Sequence, residues 1–210
     1  METITDRTSN PFGMRAPFDE SDDGDLPAVY GYGDPNADFH VIGDGPHVHG
    51  GAQTGVPFTE TEAGTVLQEL LRDAGFLSGD QTTPTVDNCF LSYVHMCTVP
   101  AGQTPTQEQY DRLERFFDAE LRAINAHVLI PVGERAADRV IRSYTTLRDR
   151  IEFDLETLHA SELRGRGFLV IPLADPATWD DAAYNSAKAR LSAVTERDYR
   201  QTKGVATLVG

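Results

Sequence analysis

The sequence predicts a three-layer α/β/α domain built on a central, mostly four-stranded parallel sheet. Two observations predict it. Short apolar runs alternate with amphipathic segments at helical spacing, and that alternation gives a parallel sheet covered on both faces. Each apolar run also opens into a loop rich in Gly, Pro or polar residues, as strands do when their carboxyl ends carry a site.

The elements follow in order. Phe39–Ile42 is the first strand, closed by Gly43. Thr59-x-x-Glu62 has the form of a capping box, opening a helix with Val66, Leu67, Leu70 and Leu71 on its apolar face. Gly75 supplies its stop. Cys89 to Val94 is the second strand. Thr106-x-x-Gln109 starts a helix with Tyr110, Leu113, Phe116, Phe117 and Leu121 on one side. His127–Val132 is the third strand, and Gly133 leads into a helix carrying Ala136, Ala137, Val140 and Ile141. Phe168–Leu173 is the fourth strand. A last helix runs from Asp180 to about Tyr199, with Ala183, Ala187, Leu191 and Val194 inward.

With 210 residues, one substantial core is expected. Residues 1–28 read as a polar arm with an acidic cluster from Asp19 to Asp25, for which Phe12, Met14 and Phe18 are docking candidates. Residues 29–202 read as the folded domain and 203–210 as a tail. No run of ~18 apolar residues offers a membrane span. The first residues show no apolar signal region, so a cytoplasmic protein is expected. Cys89 and Cys97, the only cysteines, are then expected to be reduced and packed.

The net charge is −15, and the only lysines are Lys188 and Lys203. Phosphate contacts rest on Lys and Arg, so one reading is that the chain binds no nucleic acid. The other is adaptation to a salty cytoplasm, where the Debye length falls to ~3 Å at 1 M and long-range repulsion vanishes. Scarce lysine beside ordinary arginine favours the salt reading, because acidity alone does not require it.

Ligands in such sheets bind beyond the strand ends, which directs attention to four loops. The first contains Gly43, Asp44, Gly45, Pro46, His47 and His49, then Gly55-Val56-Pro57-Phe58. Asp44 is placed to point into a crevice, or else is a solvated turn residue. Phe58, behind Pro57, offers a ring to a planar ligand, or else fills the core. His47 and His49 with Asp44 raise a metal site, but no third ligand pattern follows them, and none is expected. The second loop, His95 to Thr106, ends at a helix start suited to an anion or is purely structural. The fourth holds Asp175, Pro176 and Trp179, which read either as a crevice wall or as a turn with an acidic N-cap.

Together these segments resemble the uracil-DNA glycosylase superfamily, closest to its family 4. The stretch from Tyr32 to Asp38 and the loop to Gly45-Pro46 resemble the family's first motif, typically Gly-Glu-Ala-Pro-Gly. Gly55 to Phe58 resembles the segment whose Phe stacks on uracil. Cys97-Thr98-Val99-Pro100 with Thr104-Pro105-Thr106 resembles its Lys-Cys-Arg-Pro-Pro segment and helix start. His127–Ala137 and Val170–Ala177 resemble the strand with its Gly-x-x-Ala helix and the strand ending in His-Pro-Ser. The matches cover about residues 29–180, and the composition suggests a haloarchaeal version.

The resemblance implies a base-excising DNA glycosylase that flips uracil from the stack. Asp44 would stand where family 4 has Glu, as the catalytic group positioning water. Phe58 would be the base platform, and Gly43, Gly45, Pro46, His47 and Pro176 would line the pocket. The implied partner is DNA, uracil-containing or single-stranded, bound at high salt. The departures are equally specific. The family's donor His is Asp175 here, and an ionised Asp only accepts hydrogen bonds. Of the four cluster cysteines only Cys97 matches, so no iron–sulfur cofactor is expected. Tyr93 stands near the family's Asn, and Thr98 replaces its Arg. The alternative is a catalytically silent homologue that binds nucleic acid, a nucleotide or a protein.

Overall fold

The computed structural model describes residues 9–17, 27–145, 153–165, 167–197 and 199. In chain order the elements are β1 (Tyr32–Gly33), β2 (Phe39–Gly43), α1 (Pro46–His49), α2 (Glu62–Asp73), β3 (Leu77–Ser78), β4 (Thr85–Val86), β5 (Cys89–Tyr93), α3 (Gln107–Ala123), β6 (Val128–Pro131), α4 (Glu134–Tyr144), α5 (Leu155–Leu158), β7 (Leu163–Gly165), β8 (Phe168–Val170) and α6 (Asp181–Thr195). The main sheet has six strands in the order β1-β5-β2-β6-β8-β7. Its four central strands are parallel and are the four that the apolar runs predict. The structure adds short antiparallel edges, β1 on β5 and β7 on β8.

The strands are buried on both faces, and their side chains sort by the period of two. Val41, Leu91 and Ile130 join α2 and α6 through Leu67, Leu70, Leu71, Leu191 and Val194. Ile42, Phe90 and Leu129 join α3 and α4 through Phe117, Leu121, Val140 and Ile141. This is the three-layer sandwich.

Helix starts test the capping patterns. At α3 the Thr106 side chain accepts from the Gln109 N–H, and the Gln109 side chain accepts from the Thr106 N–H, a complete capping box. At α2 the pattern misleads. The cap is Thr61, which accepts from the Gly64 N–H at 3.1 Å, so the cap lies two residues after Thr59 and the helix starts at Glu62. Thr59 is buried instead and donates its hydroxyl to the Val56 carbonyl at 2.8 Å. The reason is a tight turn with positive φ at Phe58 and Glu60, which swings Thr59 inward.

Residues 9–17 lie against the β1 edge. The Asn10 N–H donates to the Gly31 carbonyl at 2.9 Å, and the Phe12 ring centroid is 6.0 Å from that of Phe90. Phe18, the acidic cluster from Asp19 to Asp25 and the tail 203–210 lie outside the described residues. Among the described residues no helix is long and apolar enough to cross a membrane.

Candidate functional site

The carboxyl ends of the parallel strands are stitched level. The Val94 N–H donates to the Gly43 carbonyl, the Val132 N–H to Ile42 and the Gly133 N–H to Leu173, at 2.8 to 2.9 Å. The four loops therefore leave the sheet side by side. Between three of them lies a cleft of about 560 Å³, lined by Asp44, His49, Gly133, Arg135, Phe153 and Asp175 among others.

Asp44 enters this cleft from the end of β2. Its Oδ1 accepts from the Tyr110 hydroxyl at 2.6 Å, and its Oδ2 lies 3.6 Å from His47 Nε2 and 3.9 Å from Arg135 Nε. Arg135 also stacks over the Tyr110 ring at 4.1 Å, bracing the donor. Burial opposes ionisation of Asp44, but His47, Tyr110 and Arg135 outweigh it and hold the carboxyl below its ordinary range. The group is a preorganised carboxylate.

The two loop histidines diverge, because α1 is a single turn that sends them to different sides. His47 packs toward His95, with ring centroids 6.3 Å apart, and with Pro46 lines a second cleft of about 380 Å³ against Thr98–Thr104. His49 packs between Phe58 and Tyr93 at 5.5 and 6.2 Å, and its Nδ1 accepts from the Asp44 N–H at 3.2 Å. Among the described residues no group of three or more His, Cys, Asp or Glu is placed to hold a metal. Cys89 and Cys97 are both buried, and with no further cysteine the residues do not fit a four-thiolate cluster.

Phe58 takes the core alternative rather than the outward platform that the resemblance implies. It is fully buried and does not line the cleft. Its ring lies on Gly43, where an added Cβ would come within 2.7 Å of the ring, so the close approach depends on glycine. Its N–H donates to the Tyr93 hydroxyl at 2.7 Å, and that hydroxyl donates to the Gly50 carbonyl at 3.0 Å. Tyr93 thus rivets both ends of the first loop. The ring that faces the cleft is Phe153, which sequence reasoning missed because nothing periodic surrounds it. Gly45 is also tight: a Cβ there would meet the His95 carbonyl at 2.8 Å.

On the opposite wall, Asp175 caps the 3-10 turn Pro176–Thr178, its Oδ1 accepting from the Ala177 N–H at 3.0 Å. Pro176 is buried beneath that turn. His159 anchors the loop by accepting from the Ala174 N–H at 3.0 Å and donating to the Ala183 carbonyl at 2.9 Å. The structure therefore brings Asp44, His49 and Asp175 to one cleft, with Gly43 and Phe58 behind it and Pro46 and His47 in the adjoining one. Tyr110 and Arg135, the partners of Asp44, carried no sequence signal, since each is remote from it along the chain.

The chain is 30% identical over 121 residues to a type-5 uracil-DNA glycosylase of Thermus thermophilus, covering 55% of each chain. It is 31% identical over 108 residues to a type-4 uracil-DNA glycosylase of Thermotoga maritima, covering 51% of each. The matched stretch spans about half the length of these curated relatives. The sequence model described as "Uracil DNA glycosylase superfamily" matches residues 30–192, from before β1 into α6, and so takes in every wall of the cleft. The chain belongs to the uracil-DNA glycosylase superfamily.

Proposed function

We propose that this chain is a base-excising DNA glycosylase that hydrolyses the N-glycosidic bond of deoxyuridine, with Asp44 as the group that positions water. One observation carries the reading: an ionised, three-sided carboxylate stands at the end of β2, inside the cleft at the strand ends. The C1′–N bond breaks with its electron pair leaving on the base. Water held by Asp44 adds hydroxyl to C1′ and passes its proton to the carboxylate, which returns it to solvent, while the released base anion takes a proton from solvent. Gly43, Gly45, Pro46 and His47 shape the near wall, Asp175 and Pro176 form the far rim, and Phe58 backs the floor. No iron–sulfur cofactor takes part. DNA binds in a salty cytoplasm, where the charge of −15 is screened.

The second reading, a silent homologue that binds nucleic acid, is favoured by Asp175 alone. It brings an acceptor to the position where the resemblance implies a donor. The test is incubation of the protein in molar KCl with single- and double-stranded oligonucleotides carrying one uracil, followed by alkaline cleavage of abasic sites. Scission that disappears in Asp44→Ala supports the enzyme. Intact but retained oligonucleotide supports the silent binder, and no retention at any salt defeats both.

A further inference from the structure

We infer that His49 is the hydrogen-bond donor to the departing base, supplying from the first loop what Asp175 does not supply from the last. This deepens the glycosylase reading and rests on it. His49 is 1% exposed yet borders the cleft. Its Nδ1 accepts from the Asp44 backbone N–H, so in the neutral ring the proton sits on Nε2. That Nε2 has no hydrogen-bond partner among the described residues, although buried donors are normally satisfied. Buried ring nitrogens of His40, His47, His95 and His127 lack a hydrogen-bond partner too, but of these five residues only His49 borders the cleft that Asp44 enters.

The surroundings fix where it acts. The Nε2 edge of the ring lies across from Gly133, whose added Cβ would stand 3.6 Å from Cε1 and 3.8 Å from Nε2. Gly133 is the N-cap of α4, and no side chain caps that helix. The N–H groups of the first turn and the His49 N–H therefore bound the same end of the cleft, a combination that favours negative charge. Phe58 and Tyr93 hold the imidazole from behind. Burial lowers the ring's pKa to about 4 against the opposing pull of Asp175 and Asp44, so at neutral pH it donates without carrying charge. Nothing is transferred from His49. It donates one hydrogen bond, which strengthens as the electron pair of the C1′–N bond moves onto the base.

Two arms test the inference. In single-turnover assays with a uracil oligonucleotide in molar KCl, His49→Phe should cut release by ~10²–10³, the usual cost of one such donor. His49→Gln, which keeps an N–H donor, should recover at least about tenfold of that loss. In the second arm, ¹⁵N spectra of the unmodified protein should show His49 neutral and protonated on Nε2. That resonance should move on adding an oligonucleotide with one 2′-fluorodeoxyuridine, which resists cleavage, and stay still with the same oligonucleotide carrying an abasic analogue. Release unaffected by His49→Phe overturns the inference, as does protonation on Nδ1 or a resonance unmoved when the oligonucleotide is bound. If the unmodified protein releases no uracil, the glycosylase reading fails by itself, and the spectra still decide whether His49 faces the base.

Discussion

The loops after β2 and β8 each bring one aspartate to the same cleft, and they hold it by different means. Asp44 is gripped by side chains from three other places: Tyr110 on α3, Arg135 on α4 and His47 on α1. Asp175 is gripped by its own turn, through the Ala177 N–H two residues on. Long-range partners fix a carboxylate relative to the whole sheet, whereas a local cap fixes it only relative to its loop. The first arrangement suits a reacting group and the second a structural one.

Substituting each aspartate by asparagine should therefore break the pair apart. Asp44→Asn keeps the shape but removes the charge and the proton acceptor, and release of uracil should fall by ~10²-fold or more in single-turnover assays. Asp175→Asn keeps the N-cap, because Asn caps as well as Asp. It also removes a negative charge that opposes the departing anion, so release should rise, by up to about tenfold, which corresponds to roughly 1.4 kcal/mol. Equal losses in both variants would show that the two carboxylates act as one unit. Tyr110→Phe should have a smaller, graded effect. Asp44 loses its shortest hydrogen bond while Arg135 keeps a ring to stack on, and release should drop several-fold. The acid limb should also move. The carboxyl of Asp44 is held below its ordinary value, so its contribution to stability and activity is present above that value and is lost as pH falls through the folded one. Removing a partner raises the folded value, so the variant should lose activity at a higher pH than the parent.

The contrast also marks what the sequence can disclose. Strands β2, β5, β6 and β8 were legible because each is an apolar run between turn residues, and α3 because both halves of its capping box lie three residues apart. Edge strands of two or three residues, β1 and β7, are too short to show any period. Thr59 and Thr61 look alike as caps, and only the positive φ of Phe58 and Glu60 decides between them. That Asp44 enters the cleft was legible from its place after a strand. Its partners Tyr110 and Arg135 were not, since they lie 66 and 91 residues away along the chain. Asp175 was legible both as a cap and as a wall residue, and it is both. Phe58 behind Pro57 reads either as an outward ring or as a core residue, and it is the core residue. The glycine that seats it inward is 15 residues earlier, and no local pattern links them.

Glu120 separates burial from partnership, the two causes combined at Asp44. It is 3% exposed on α3, with a hydrogen bond to Ser92 as counterweight, and Ser92 in turn lies 2.8 Å from His40 Nε2. Burial without a cation pushes its carboxyl up to about 7, the opposite direction to Asp44. The folded value lies above the ordinary 4.5, so the native state binds the proton more tightly. Its stability is full below about pH 4.5, falls as pH rises toward 7, and then stays at the lower level. Glu120→Gln cannot ionise and should escape that loss. Uracil release should be unchanged, since Glu120 borders no part of the cleft. At pH 8 the variant should be the more stable by on the order of 2–3 kcal/mol, and at pH 4.5 the two should converge. Thermal melts at both pH values decide it: parallel pH dependence in the two proteins would mean that Glu120 keeps its charge inside the fold, and that burial alone does not set protonation in this sheet.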